Sequence, residues 1–77
     1  MDSVNVFLNS IEKVKSFVNI VTAFPFDFDL VSGRYVIDAK SIMGIFSLDL
    51  SKPIKLTIHA SGDELAKAME ELKPFIV

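Results

Sequence analysis

Apolar and polar residues change period several times along this chain, and each change marks an element. Val4-Asn5-Val6-Phe7-Leu8 alternates and then closes on an apolar pair, which predicts a first strand over 4–8. Asn9 and Ser10 follow, both good helix caps, and Glu12 stands three residues after Asn9 as in a capping box. Ile11, Val14, Phe17, Val18 and Val21 recur at helical spacing, so a helix is predicted over 11–23, stopped by Pro25. Phe26-Asp27-Phe28-Asp29-Leu30-Val31 alternates strongly. Ser32-Gly33 reads as a two-residue turn, and Arg34-Tyr35-Val36-Ile37-Asp38 as the returning strand of a hairpin.

Ser41 opens a run of about two turns, Ile42 to Leu48, read as a short helix despite the propensity cost of Gly44, about 1 kcal/mol relative to alanine. Residues 49–53 form a loop. Ile54-Lys55-Leu56-Thr57-Ile58-His59 is a fourth alternating strand with Ile54, Leu56 and Ile58 on its apolar face. Ser61-Gly62-Asp63-Glu64 has the form of a capping box with both acids in the first turn. Leu65, Met69 and Leu72 form the inner stripe of a last helix flanked by Ala66 and Ala68, and Pro74 ends it. The order is βαββαβα. Four strands with one apolar face each require a single layer of helices over that face, an α+β two-layer open-faced sandwich. A ferredoxin-like βαββαβ arrangement competes, but it normally carries a longer second helix.

Seventy-seven residues make one domain, residues 1–77, with a single core. Cysteine is absent, which removes disulfides, thiolate metal sites and cysteine nucleophiles. Ten acidic residues against eight basic ones, of which only Arg34 is arginine, provide no basic cluster for a phosphate backbone, so no nucleic-acid partner is expected. No apolar run approaches the roughly 20 residues of a membrane span, and Met1-Asp2-Ser3 does not open a signal peptide. The expectation is a cytoplasmic protein with no membrane partner. A hydrophobic share of 51% is high for so small a chain and leaves apolar side chains for a contact surface.

Lys40-Ser41-Ile42-Met43-Gly44-Ile45-Phe46-Ser47-Leu48 resembles the regulatory-serine segment of HPr, the histidine-containing phosphocarrier protein of the bacterial sugar phosphotransferase system. The order of elements from Val4 to Val77 is similar as well. The resemblance implies the HPr-like open-faced β-sandwich: a four-stranded antiparallel sheet with three helices on one face. It also implies a Gly-x-His-Ala-Arg-Pro stretch at the front of the first helix, whose histidine accepts phosphate. Here that region reads Leu8-Asn9-Ser10-Ile11-Glu12-Lys13: Ser10 falls where the histidine would be, and Glu12 near the arginine. A relay needs a nucleophilic imidazole that releases the group again, and a serine ester is a poor donor.

Ser41 is predicted to cap its helix and, by the resemblance, to be a regulatory phosphorylation site, where a phosphate would add charge at a helix N-terminus. Ile42, Met43, Ile45 and Phe46 are more apolar residues than a two-turn helix buries on one side, and the resemblance makes this helix a docking element for partner proteins. His59 is the single histidine and is expected exposed on the polar face of its strand, too isolated for a metal site. Asp27, Asp29 and Asp38 alternate on a solvated face, and Arg34 and Lys40 are expected to be solvated charges. No phosphate loop, catalytic triad or paired-carboxylate motif is present, so neither enzyme activity nor a cofactor nor a metal is expected. The sequence therefore predicts a non-catalytic regulatory or adaptor protein related to HPr, with protein partners. The alternative is a phosphocarrier using an unconventional acceptor, Ser10 or His59.

Overall fold

The computed structural model describes residues 2–77. Its elements run β1 (Asp2–Val6), α1 (Ile11–Thr22), β2 (Phe28–Ser32), β3 (Tyr35–Asp38), α2 (Ile42–Phe46), β4 (Ile54–Ile58) and α3 (Gly62–Leu72), followed by a 3₁₀ turn at Lys73–Phe75. The strands form one antiparallel sheet in the order β1-β4-β2-β3. The helices cover one face of it, as the apolar alternation requires.

The core is made from the inward positions of each strand and the inner stripe of each helix. Val6, Phe28, Leu30, Ile54, Leu56 and Ile58 come from the sheet, and Val14, Phe17, Val21, Ile45, Ala68 and Leu72 from the helices. Phe17 and Phe75 meet edge to face, with ring centroids 5.9 Å apart, and so tie the middle of α1 to the turn after α3. Among the described residues no polar or charged side chain is buried.

Several element boundaries differ from the sequence reading. The first strand is shifted toward the N-terminus, to Asp2–Val6 instead of 4–8. Val6 pairs with Ile54, and the next partner would be Pro53, which has no N–H for the ladder. Phe7 instead donates its N–H to the Phe75 carbonyl at 2.8 Å, and Leu8 is buried in a loop. The hairpin turn is Gly33-Arg34 rather than Ser32-Gly33, since Ser32 pairs with Tyr35. Gly33 has φ +59° and no other residue of the turn has positive φ, the pattern of a type II′ turn with glycine at its first central position. β2 starts at Phe28 rather than Phe26. Phe24, Phe26 and Phe28 pack as a cluster of three rings, with centroids 5.1–5.9 Å apart, where the chain turns from α1 into the sheet.

Neither capping box forms. Ser10, not Asn9, caps α1, which moves Glu12 off the reciprocal position. Ser61 caps α3 without a side-chain hydrogen bond, because Gly62 at φ +60° turns the chain away from the geometry the box needs. Lys40 is not a solvated charge: its Nζ donates to the Phe24 carbonyl at 2.9 Å and lies 6.0 Å from the Phe28 ring centre.

Candidate functional site

Two serine caps organise the surface around α1 and α2. Ser10 precedes α1 in extended conformation, and its Oγ accepts from the Lys13 amide at 3.2 Å. That bond satisfies one of the free N–H groups at the helix start. Ser10 is exposed, and it lines a groove with Phe7, Asn9, Ile11, Phe46, Leu50 and Ser51. The front of α1 thus meets the end of α2 and the loop leading to β4. Glu12 stands in the first turn of α1, where its charge suits the helix but opposes a second anion beside Ser10. The Lys13 ammonium lies 5.7 Å from the centre of the Phe7 ring, above an aromatic face.

Ser41 does the same for α2. Its Oγ accepts from the Gly44 amide at 3.2 Å and its carbonyl from Ile45 N at 3.1 Å. A Cβ at Gly44 would stand 3.2 Å from Ser41 Oγ and 3.4 Å from Ile37 Cδ1. The helix-weakening glycine is therefore explained by close packing of α2 against its own cap and against β3.

The four apolar residues of this helix separate into two groups. Met43 is 78% exposed and Phe46 41% exposed, while Ile42 is half-buried and Ile45 is fully buried. Expecting all four on a docking surface fails for Ile45. The helix has only five residues, not two full turns, and its single inward row is spent on the core. Ile11, 62% exposed at the front of α1, extends the apolar surface instead.

The loop between α2 and β4 is held by Asp49, whose Oδ1 accepts from Ser51 N at 3.1 Å and Ser51 Oγ at 2.6 Å. These bonds favour the carboxylate and hold its pKa below the ordinary aspartate value. A depressed folded-state pKa stabilises the fold above the unfolded value, and the contribution fades as pH falls through the folded one. The turn is thus expected to loosen in acid only below the normal aspartate range. An NMR titration of the Asp49 carboxyl, repeated on Ser51→Ala, checks this: the midpoint is low in the wild type and returns toward normal in the variant.

His59 sits elsewhere. It follows β4 on the sheet face opposite the helices, in line with Lys55 and Thr57. It is not isolated: its Nε2 lies 2.7 Å from Asp29 Oδ2, and its backbone N–H donates to the Asp27 carbonyl at 3.0 Å. The sequence reading missed the Asp29 partnership because the two residues are 30 apart in sequence and meet only through the β2–β4 register. Along β4, His59 is five residues beyond Ile54, whose partner Val6 precedes the groove residue Phe7. At about 3.4 Å per residue that is about 17 Å, on the other face of the sheet. Among the described residues, no three His, Asp or Glu side chains converge as metal ligands, and no helix is long and apolar enough to cross a membrane. Asp38 lies across from Asp29 in the β2–β3 register and accepts from the Lys40 amide at 2.9 Å.

Residues 12–77 match the family described as PTS-HPr, PTS HPr component phosphorylation site. Among solved structures, the chain is similar to a crystal structure of HPr-C-His from Thermoanaerobacter tengcongensis, at 26% identity and a TM-score of 0.76, over 96% of this chain and 89% of that one. No curated protein matches the sequence.

Proposed function

This chain belongs to the HPr family of the phosphotransferase system, and from that premise we propose that it works by binding partner proteins rather than by relaying a phosphoryl group. The observation that carries this reading is the separation of parts. The groove at the front of α1 holds a serine hydroxyl beside Glu12, and the lone imidazole is paired with Asp29 on the far face. A hydroxyl can accept a phosphoryl group, but its ester does not pass it on readily. Counting back from Ser41 by the resemblance, the family's histidine would correspond to Ser10, and the family match covers residues 12–77.

What the site retains is a contact surface. Ile11, Met43 and Phe46 are exposed apolar side chains, and Ile11 and Phe46 line the open groove with Ser10. A flexible methionine and an aromatic ring suit a docking patch. Ser41 is the switch in this reading. Its exposed hydroxyl stands two residues before Met43, and a phosphate there would add about 1.5–2 negative charges beside the patch. The helix dipole tolerates that charge at its N-terminus, so the effect falls on partner choice rather than on folding.

The test is phosphorylation in vitro. The protein is incubated with phosphoenolpyruvate and the general enzyme of the system, and its intact mass is measured before and after mild acid. The expected result is no gain in mass. An acid-labile gain of one phosphate would point to His59 as a carrier, an acid-stable one to Ser10, and either would overturn the binding-only reading.

A further inference from the structure

The two edges of the sheet are treated differently. At the β1 edge the C-terminal residues cover the end of the strand. Ile76 bridges to Val6, Val77 N–H donates to the Asn5 carbonyl at 3.0 Å, and Phe7 N–H donates to Phe75. Among the described residues the β3 edge has no such cover. The hairpin register directs the backbone groups of Tyr35 and Ile37 toward β2, and Ala39 N–H continues that row to the Phe28 carbonyl at 2.9 Å. By the alternation of an antiparallel ladder, Val36 and Asp38 point their backbone groups away from the sheet. The Asp38 carbonyl is taken by Ser41 N–H at 3.0 Å. The N–H and carbonyl of Val36 and the N–H of Asp38 are left at an open edge.

This edge is also unusually bare in composition. Tyr35, Val36 and Ile37 are strong strand formers, Tyr35 is 70% exposed and Val36 64% exposed, and no lysine or proline interrupts them. Beside them, Asp38 stands directly across from Asp29, a like-charge pairing that a strand pair disfavours. Asp29 has His59 as its partner, whereas the Asp38 carboxylate takes only an amide from Lys40.

We propose that β3 pairs antiparallel with β3 of a second copy about a two-fold axis at Val36, joining two sheets into one of eight strands. The register follows from the free groups. If Val36 of each copy exchanges both backbone hydrogen bonds with Val36 of the other, Tyr35 falls opposite Ile37. Arg34, the chain's one arginine, then falls opposite Asp38, twice by symmetry. That arrangement satisfies the open backbone groups and supplies the cation that the Asp29–Asp38 pairing lacks. It is self-complementary in charge, which a random peptide occupant would not be. The strand is only four residues long, so the contact is small and the association weak. It uses neither the Ser10 groove nor the exposed side of α2, and it stands independently of the binding role proposed above.

Sedimentation velocity from about 10 µM to about 2 mM covers the affinity range of so small an interface. The expected result is a dimer fraction that rises with concentration, with NMR amide shifts that move with it confined to 34–38. Val36→Pro removes an outward N–H without touching the β2 ladder, and is expected to give a folded monomer. Arg34→Asp places like charges opposite one another and should weaken the dimer by more than about ten-fold. Combining it with Asp38→Arg restores complementarity and should recover most of that loss, a readout that holds even if Val36→Pro does not fold. A monomer throughout the range overturns the proposal. So does a dimer that persists in folded Val36→Pro, or a double variant no tighter than Arg34→Asp alone.

Discussion

Phe17→Ala is expected to destabilise this protein by about 3–5 kcal/mol. The ring is fully buried at the centre of α1, packed edge to face on Phe75 among the core side chains. Truncating a buried phenylalanine costs about 3–5 kcal/mol, from lost transfer energy and from the cavity left behind. A domain of this length has a total stability of roughly 4–12 kcal/mol at the usual range per residue. The loss is therefore most of the stability at the lower end of that range. Phe75 makes the effect larger than one residue suggests, because it belongs to the turn whose carbonyl holds Phe7 N–H. Losing the ring pair should also release the C-terminal residues from β1. Urea denaturation followed by circular dichroism measures the change. A loss under about 1 kcal/mol would mean that Phe17 is not the keystone of the helix–sheet contact.

The second large effect is a contrast between neighbours. Ile45→Asp is expected to unfold the protein, and Phe46→Asp to leave it folded while abolishing capture of a partner. Ile45 is fully buried, and an unpaired carboxylate there has neither water nor a counter-charge, a cost of several kcal/mol. Phe46 is 41% exposed and already borders the groove, so an aspartate can turn to solvent at a cost of about 1 kcal/mol. Thermal melts of the two variants separate the fold effect, and a comparative pull-down with wild type and Phe46→Asp separates the binding effect. A folded Phe46→Asp that still captures the same partners at wild-type level would remove Phe46 from the docking surface. Unfolding of that variant would place the ring in the core.

The same pair of residues shows where the sequence stops being informative. Ile42, Met43, Ile45 and Phe46 are chemically alike, and a five-residue helix is too short for its period to declare an inward face. Which of them is buried depends on how α2 lies on the sheet, and that is set by Gly44 approaching Ile37 and by the Ser41 cap. Longer elements declared themselves better. Of the five residues that the period puts on one side of α1, Val14, Phe17 and Val21 are buried and Val18 is half-buried, while Ile11 at the front is exposed. The caps were half legible: serine and asparagine both suit the position, and only backbone geometry selected Ser10 over Asn9. The Ser10 groove was visible through two residues of its lining, Ser10 and Phe46, because Leu50 and Ser51 reach it from a loop that no local pattern locates.

Local pattern alone determined the order of elements, the apolar face of each strand and the single helical layer. These follow from period and composition, which act over a few residues and do not depend on partners distant in the chain. Tertiary structure decided the rest: that β4 lies between β1 and β2, that Ile45 belongs to the core and Met43 to the surface, that Asp29 holds His59, and that the C-terminal residues cover the end of one edge strand while the other edge, among the described residues, stays open. Each of those depends on strand order and register between segments far apart in sequence. Register is set by the summed packing of the whole core, including where Pro53 ends the β1–β4 ladder, and no single stretch of residues contains that sum.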